Sequence, residues 1–191
     1  MPARYNEGER FTMANAHSNA ESLPTGSGGA EPIEPRFIVD LNVGRLAKRL
    51  RMMGYDAVFI NGLDDDELIR IALRESRILL TKDHGIMRRR IVSSGKVKAL
   101  LIPEGDIRKQ LRQVIKAFNL ESQSRPFSRC LECNEPLHMR AKENIRDLVP
   151  PYVFSTQDSY KQCPKCGRVY WRGTHWERMH RELQGMRKSP E

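Results

Sequence analysis

Nowhere in these 191 residues do 18 apolar side chains follow one another, so the sequence holds no membrane-spanning helix of ordinary length. The first residues lack an apolar stretch of the kind that directs secretion, and a secreted product is not expected. Aromatic residues supply only 7% of the chain and apolar residues 39%, which permits a modest core between about 36 and 120. There are four cysteines, too few for a disulfide-dense scaffold, and they fall in two Cys-x-x-Cys pairs. Such pairs read as metal ligands in a reducing cytosol rather than as disulfides, so a cytoplasmic location is expected.

What is present is positive charge, and it is unevenly placed. The formal net charge is +9, with residues 1–35 at −3, residues 36–124 at +7 and residues 125–191 at +5. Basic folded segments commonly face a polyanion such as RNA. The plainer alternative is that the charge only keeps the protein soluble.

Residues 1–35 read as a disordered leader, small and polar and rich in Gly and Pro, with no helical or strand period. From Arg36 onward strands and helices alternate. Phe37-Ile38-Val39 predicts a buried strand ending at Asp40. Val43, Leu46, Ala47, Leu50 and Met53 recur at helical spacing, with Gly54 placed to stop that helix. Further strands are expected at 57–60, 78–81 and 97–102, and further helices at 64–73, 84–93 and 105–118. This order predicts an α/β domain, a parallel sheet covered by helices on both faces. Residues 121–129 read as a linker, 130–180 as a small β-rich module that needs a metal to fold, and 181–191 as a flexible tail.

The two cysteine pairs, Cys130 with Cys133 and Cys163 with Cys166, are separated by 29 residues. Each pair can turn in a tight knuckle and present two thiolates. Four thiolates close a tetrahedral zinc site with no position left for substrate, so one structural zinc per chain is expected. Pro164 and Gly167 suit the second knuckle's turn. His138, His175 and His180 stand at no knuckle spacing and read as surface or supporting residues. The stretch from Arg168 to Trp176 interleaves cations with aromatics. Tyr170, Trp171, Arg172 and His175 there can stack bases and hold phosphates, or the two aromatics can simply fill a small core.

In parallel sheets ligands collect beyond the carboxyl ends of the strands, where Asp40 and Asp83 stand and where the helix led by Asp64 to Glu67 begins. Asp65 alone would be explained as a helix cap. Three acidic positions converging on one rim of a basic domain would repel each other unless a hard divalent cation, Mg²⁺ or Mn²⁺, joined them. Such a cation supports phosphodiester hydrolysis. Arg45, Lys48 and Arg49 on the first helix, and Arg88 to Arg90 after Asp83, can hold a nucleic-acid backbone, or can be solvated helix faces.

The strings FIVDLNVGRLAKRLRMMGYDA, DDDELIRIALRESRILLTKD, CLEC, CPKC and YWRGTHWERM resemble the Mut-7 C-terminal RNase family across about residues 36–180. The resemblance implies a PIN-like nuclease domain over 36–120, a zinc ribbon over 130–180, and a metal-dependent ribonuclease. By motif it places the catalytic carboxylates at Asp40, Asp65 and Asp83, with Asp64 or Asp66 able to replace Asp65 and Asp106 the nearest fourth acid. After Asp40 the chain reads Leu-Asn-Val-Gly where the family has a hydrophobic residue and then Leu-Gly, so Asn42 enters as a polar group near the metal. The expected function is endonucleolytic cleavage of RNA with Mg²⁺ or Mn²⁺. The alternative is a non-catalytic RNA- or ribosome-associated protein on an inactive PIN-like scaffold, and after it a protein-binding adaptor.

Overall fold

A computed structural model describes residues 34–103, 105–120 and 125–188. The leader, apart from its last two residues, lies outside them. Four short parallel strands form the main sheet: β1 (Phe37–Val39), β2 (Ala57–Val58), β3 (Ile78–Thr81) and β4 (Ala99–Leu101). Their order is β2-β1-β3-β4. The central pair, β1 and β3, is buried along its whole length, which is why both strands read as unbroken apolar runs. Phe37 pairs with Ile78 and Val39 with Leu80, so the chain leaves both strands at the same level.

Side chains alternate between the two faces. Phe37, Val39 and Leu80 join α1 (Arg45–Met52) and α5 (Ile107–Phe118) in one core. Ile38 and Leu79 pack with α2 (Asp65–Arg74), α3 (His84–Arg88) and α4 (Arg90–Ser93) in the other. The expected three-layer α/β architecture is therefore present. Gly54 ends α1 at φ +97°, where a Cβ would collide with the carbonyl of Arg125. Two boundaries depart from expectation. The helix at 84–93 breaks at Arg89, whose ψ of 131° is extended, and the Arg89 side chain meets Asp65 and Asp66 of α2. The strand at 57–60 keeps only Ala57 and Val58, because β2 is an edge strand with one neighbour to hold it.

The second half carries an antiparallel sheet ordered β5 (His138–Arg140), β6 (Tyr160–Gln162), β7 (Val169–Trp171). Between β5 and β6 the chain makes two 3-10 turns and α6 (Pro151–Thr156) around a small core of Ile145, Val149 and Tyr160. It then forms α7 (Thr174–Lys188). This helix takes up the end of the cation–aromatic stretch and continues through Lys188, past the expected boundary at 181. Its cause is packing. Met179 is buried and Trp176 packs at a tilt against Phe127, centroids 5.2 Å apart, so both join the α1–α5 core. Phe127, from the expected linker, is itself buried and donates its N–H to the Met52 carbonyl at 3.0 Å. The described residues form one compact unit. Among the described residues no helix is long and apolar enough to cross a membrane.

Candidate active site and metal centre

The four cysteine sulfurs lie within 4.8 Å of one another. Both knuckles are built alike. The N–H of Asn134 returns to the Cys130 carbonyl at 3.0 Å, and the N–H of Gly167 to the Cys163 carbonyl at 3.0 Å. Each returning residue has positive φ, 68° for Asn134 and 72° for Gly167, the conformation that Asn and Gly tolerate best. The donor set fits zinc: Zn–S bonds of about 2.3 Å in a tetrahedron imply sulfurs about 3.8 Å apart, and Cys130 Sγ lies 3.7 Å from Cys166 Sγ. Burial raises the Cys130 thiol, but hydrogen bonds from the Tyr170 hydroxyl and from backbone N–H groups outweigh it and bring it down to about 7. Its neighbour Cys133 is pushed up to about 12, first by its hydrogen bond to Cys166. Four crowded thiols resist ionising together without a cation to share, and the site is positioned to bind a metal ion.

The first knuckle is fastened to the parallel sheet. Asn134 accepts the Ala57 N–H at 3.0 Å through Oδ1 and donates to Asp56 at 2.7 Å through Nδ2. The buried Arg51 guanidinium spans the same junction, donating to the carbonyls of Ala57, Leu131 and Glu132 at 2.8, 2.9 and 2.8 Å. The open edge of β2 thus finds partners in side chains. Asp56 also accepts from Arg77 at 2.7 Å. Burial would raise the Asp56 carboxyl, yet the bonds from Arg77 and Asn134 hold it below its ordinary range.

At the carboxyl rim of the sheet the strand order reverses between β1 and β3, and Asp40 and Asp83 follow those two strands. One buried hydroxyl links the Asp40 carboxylate to the backbone of Asp83. Thr81 Oγ1 donates to Asp40 Oδ2 at 2.5 Å and accepts the Asp83 N–H at 2.9 Å. Asn42 Oδ1 ties the two loops by accepting the Lys82 N–H at 3.1 Å. Asp83 also caps α3 by accepting the Gly85 N–H. Asp64, not Asp65, caps α2, through Glu67 N–H at 2.8 Å. Asp65 instead faces Arg89 at 3.7 Å, and Asp66 faces it at 2.7 Å. Asp106 sits exposed at the N-cap of α5 and makes no side-chain cap bond there. Among the described residues the four cysteines alone form a group of three or more donors within 4.8 Å. Asp40, Asp65 and Asp83 share the rim without closing to that distance.

The chain matches the Mut7-C RNAse domain over residues 35–183. It belongs to that family. No curated protein and no solved structure matches the chain. The family's name points to ribonuclease chemistry, with RNA as the substrate class.

The expected RNA contacts occupy diverse places in this Mut7-C chain. Arg45 is exposed and Arg49 half-buried. Lys48 bridges to Glu132 of the first knuckle at 2.6 Å, so it also fastens that knuckle to α1. Tyr170 is a support for the metal centre: its hydroxyl lies 3.1 Å from Cys130 Sγ and accepts the Leu131 N–H at 3.2 Å. Trp171 packs on the small core of the second half, and Arg172 lies over Trp176, 5.3 Å from its centroid. The side chain of His175 lies outside the described residues. Thr81, Arg51 and Asn134 went unnoticed in the sequence. A Thr two residues before a strand-end Asp was the one available signal among them.

Proposed function

We propose that this protein is a ribonuclease that cleaves RNA phosphodiesters internally, in the cytoplasm, with Mg²⁺ or Mn²⁺ at its acidic rim. The observation that carries the reading is that Asp40 and Asp83 leave adjacent parallel strands at the switch point of the sheet, where the Thr81 hydroxyl holds the Asp40 carboxylate and the Asp83 backbone N–H. Mg²⁺ is ordinarily held by one or two carboxylates with waters completing its shell, and this pair fits that pattern better than a closed three-carboxylate cage. When bound, such a cation stabilises charge developing on the phosphate and acidifies water. Asp40 and Asp83 would hold it. Thr81 fixes one Asp40 oxygen, leaving the other to face the cation. Asp65 would join through water or after leaving Arg89. Arg45 and the arginines after Asp83 would draw the phosphate backbone to the rim. The cysteine centre would hold one structural zinc, and Tyr170 would steady its Cys130 ligand.

A specific observation favours a second reading, a non-catalytic RNA-associated scaffold: Asp83 is used as a cap and Asp65 as an ion-pair partner. Incubating the purified protein with a mixed RNA pool, with Mg²⁺ or Mn²⁺ supplied and then chelated, separates the two. Internal cuts that vanish on chelation support the nuclease. Retained RNA with no cuts under either metal supports the scaffold.

A further inference from the structure

Beside the acidic rim lies a cavity of about 640 Å³, within the range of about 300–1,000 Å³ usual for small-molecule sites. Its walls join three parts of the fold: the turn after Asp40 with α1, the start of α5, and Leu131 and Glu132 of the first knuckle. Four cations line it, Arg45, Lys48, Arg51 and Lys82, against one acid, Glu132. That acid is already matched by Lys48 at 2.6 Å and Arg168 at 3.5 Å, and cations outnumber acids along the walls. The first turn of α1 holds no acidic side chain, and its dipole adds to the attraction for an anion. The remaining wall is apolar. Phe59 is half-buried there, and Leu41 is 61% exposed, the kind of large apolar side chain that needs a reason to face water. Gly44 keeps the Phe59 ring in place, since a Cβ there would come within 2.7 Å of it.

We propose that this cavity is a nucleotide subsite, in which Arg45 and Lys82 take a phosphate while Phe59 and Leu41 take the attached base. The nucleotide belongs to an RNA strand whose adjoining phosphate lies at Asp40 and Asp83, so the assignment rests on the nuclease reading. Leu41 and Lys82 are the chain neighbours of those two aspartates, which sets the cavity one residue away from the rim. The metal-binding knuckle forms its far wall through Leu131 and Glu132, giving that module a part in shaping the substrate groove.

The test is binding without divalent metal, so that no cleavage intervenes. The full chain is titrated by calorimetry with a 5′-phosphorylated diuridine, with uridine monophosphate and with inorganic phosphate. Lys82→Ala and Phe59→Leu are each expected to weaken the dinucleotide by about tenfold, the scale of one lost phosphate contact or stacked base. Gly44→Ala, which displaces the Phe59 ring without demanding an unusual backbone, should do the same. Lys98→Ala, at the opposite end of the sheet, should change nothing. Dinucleotide binding tighter than the mononucleotide, and both tighter than inorganic phosphate, supports an RNA strand as the occupant. Equal binding of all three overturns the base-holding role. Unchanged affinity in Lys82→Ala, Phe59→Leu and Gly44→Ala overturns the subsite even where RNA is cut. Binding that these variants weaken, in a protein that cuts no RNA, supports the subsite and removes the nuclease.

Discussion

Arg51→Met removes a charge that is only 6% exposed and strips three backbone carbonyls of their donor. Hydrogen bonds from a charged group contribute about 1.5–3 kcal/mol each, so the gross loss is roughly 4.5–9 kcal/mol. Against it stands the release of a desolvated guanidinium, which returns several kcal/mol. The net expectation is a loss of about 3 kcal/mol, or a fall in melting temperature of roughly 6–12 °C for a protein of this size. Arg51→Lys should recover less than half, because one ammonium cannot span the Ala57 carbonyl and the knuckle carbonyls together. Urea unfolding of the zinc-loaded protein measures the loss. The rate at which a chelator extracts zinc reports separately whether the knuckle has loosened, and it should rise. A stability change under about 1 kcal/mol with unchanged zinc release would show that the knuckle does not depend on this junction.

Elemental analysis should find about one zinc per chain, and Cys163→Ser should lose it. Because the first knuckle is bonded to β2, that variant should destabilise the α/β half too, seen as weaker amide protection at Ala57. Asp56 has a depressed carboxyl pKa in the folded state, so its stabilising effect is full above its ordinary value of 3.8 and fades as pH falls through the folded value. Asp56→Asn should therefore be less stable than wild type near neutrality, with the gap closing in acid; a gap independent of pH would contradict the assignment. RNA affinity should fall with salt, and Arg45→Ala should reduce the slope of log affinity against log salt by about 0.7 for one single-strand phosphate contact. An identical slope would place Arg45 outside the RNA path.

The parts legible in the sequence are those set by local pattern. β1 and β3 read clearly because a strand buried on both faces must be apolar throughout, and the four cysteines read clearly because thiolate spacing is dictated by knuckle geometry. Asp40 and Asp83 followed from topology, since parallel strands end on one rim. The docking of the two halves was not legible. Asn134 and Arg51 look like a polar turn residue and a solvated helix charge until residues about 80 positions away are brought beside them. Helix α7 was hidden because its inward positions, the partly buried Trp176 and the buried Met179, lie among cations and aromatics that suggest an RNA surface. The break at Arg89 sits in a run of three arginines, which carries no sign of which one will leave the helix to meet Asp65 and Asp66.

The most direct test of the central claim is Mg²⁺-dependent RNA cleavage by purified Asp83→Asn, measured beside its RNA binding and thermal stability. Asn keeps the size and can still accept the Gly85 N–H, while the charge needed by a cation is gone. The account predicts a folded protein that binds RNA at least as well as wild type and cuts none of it, under conditions where wild type cuts. Cleavage at the wild-type rate by Asp83→Asn would contradict it.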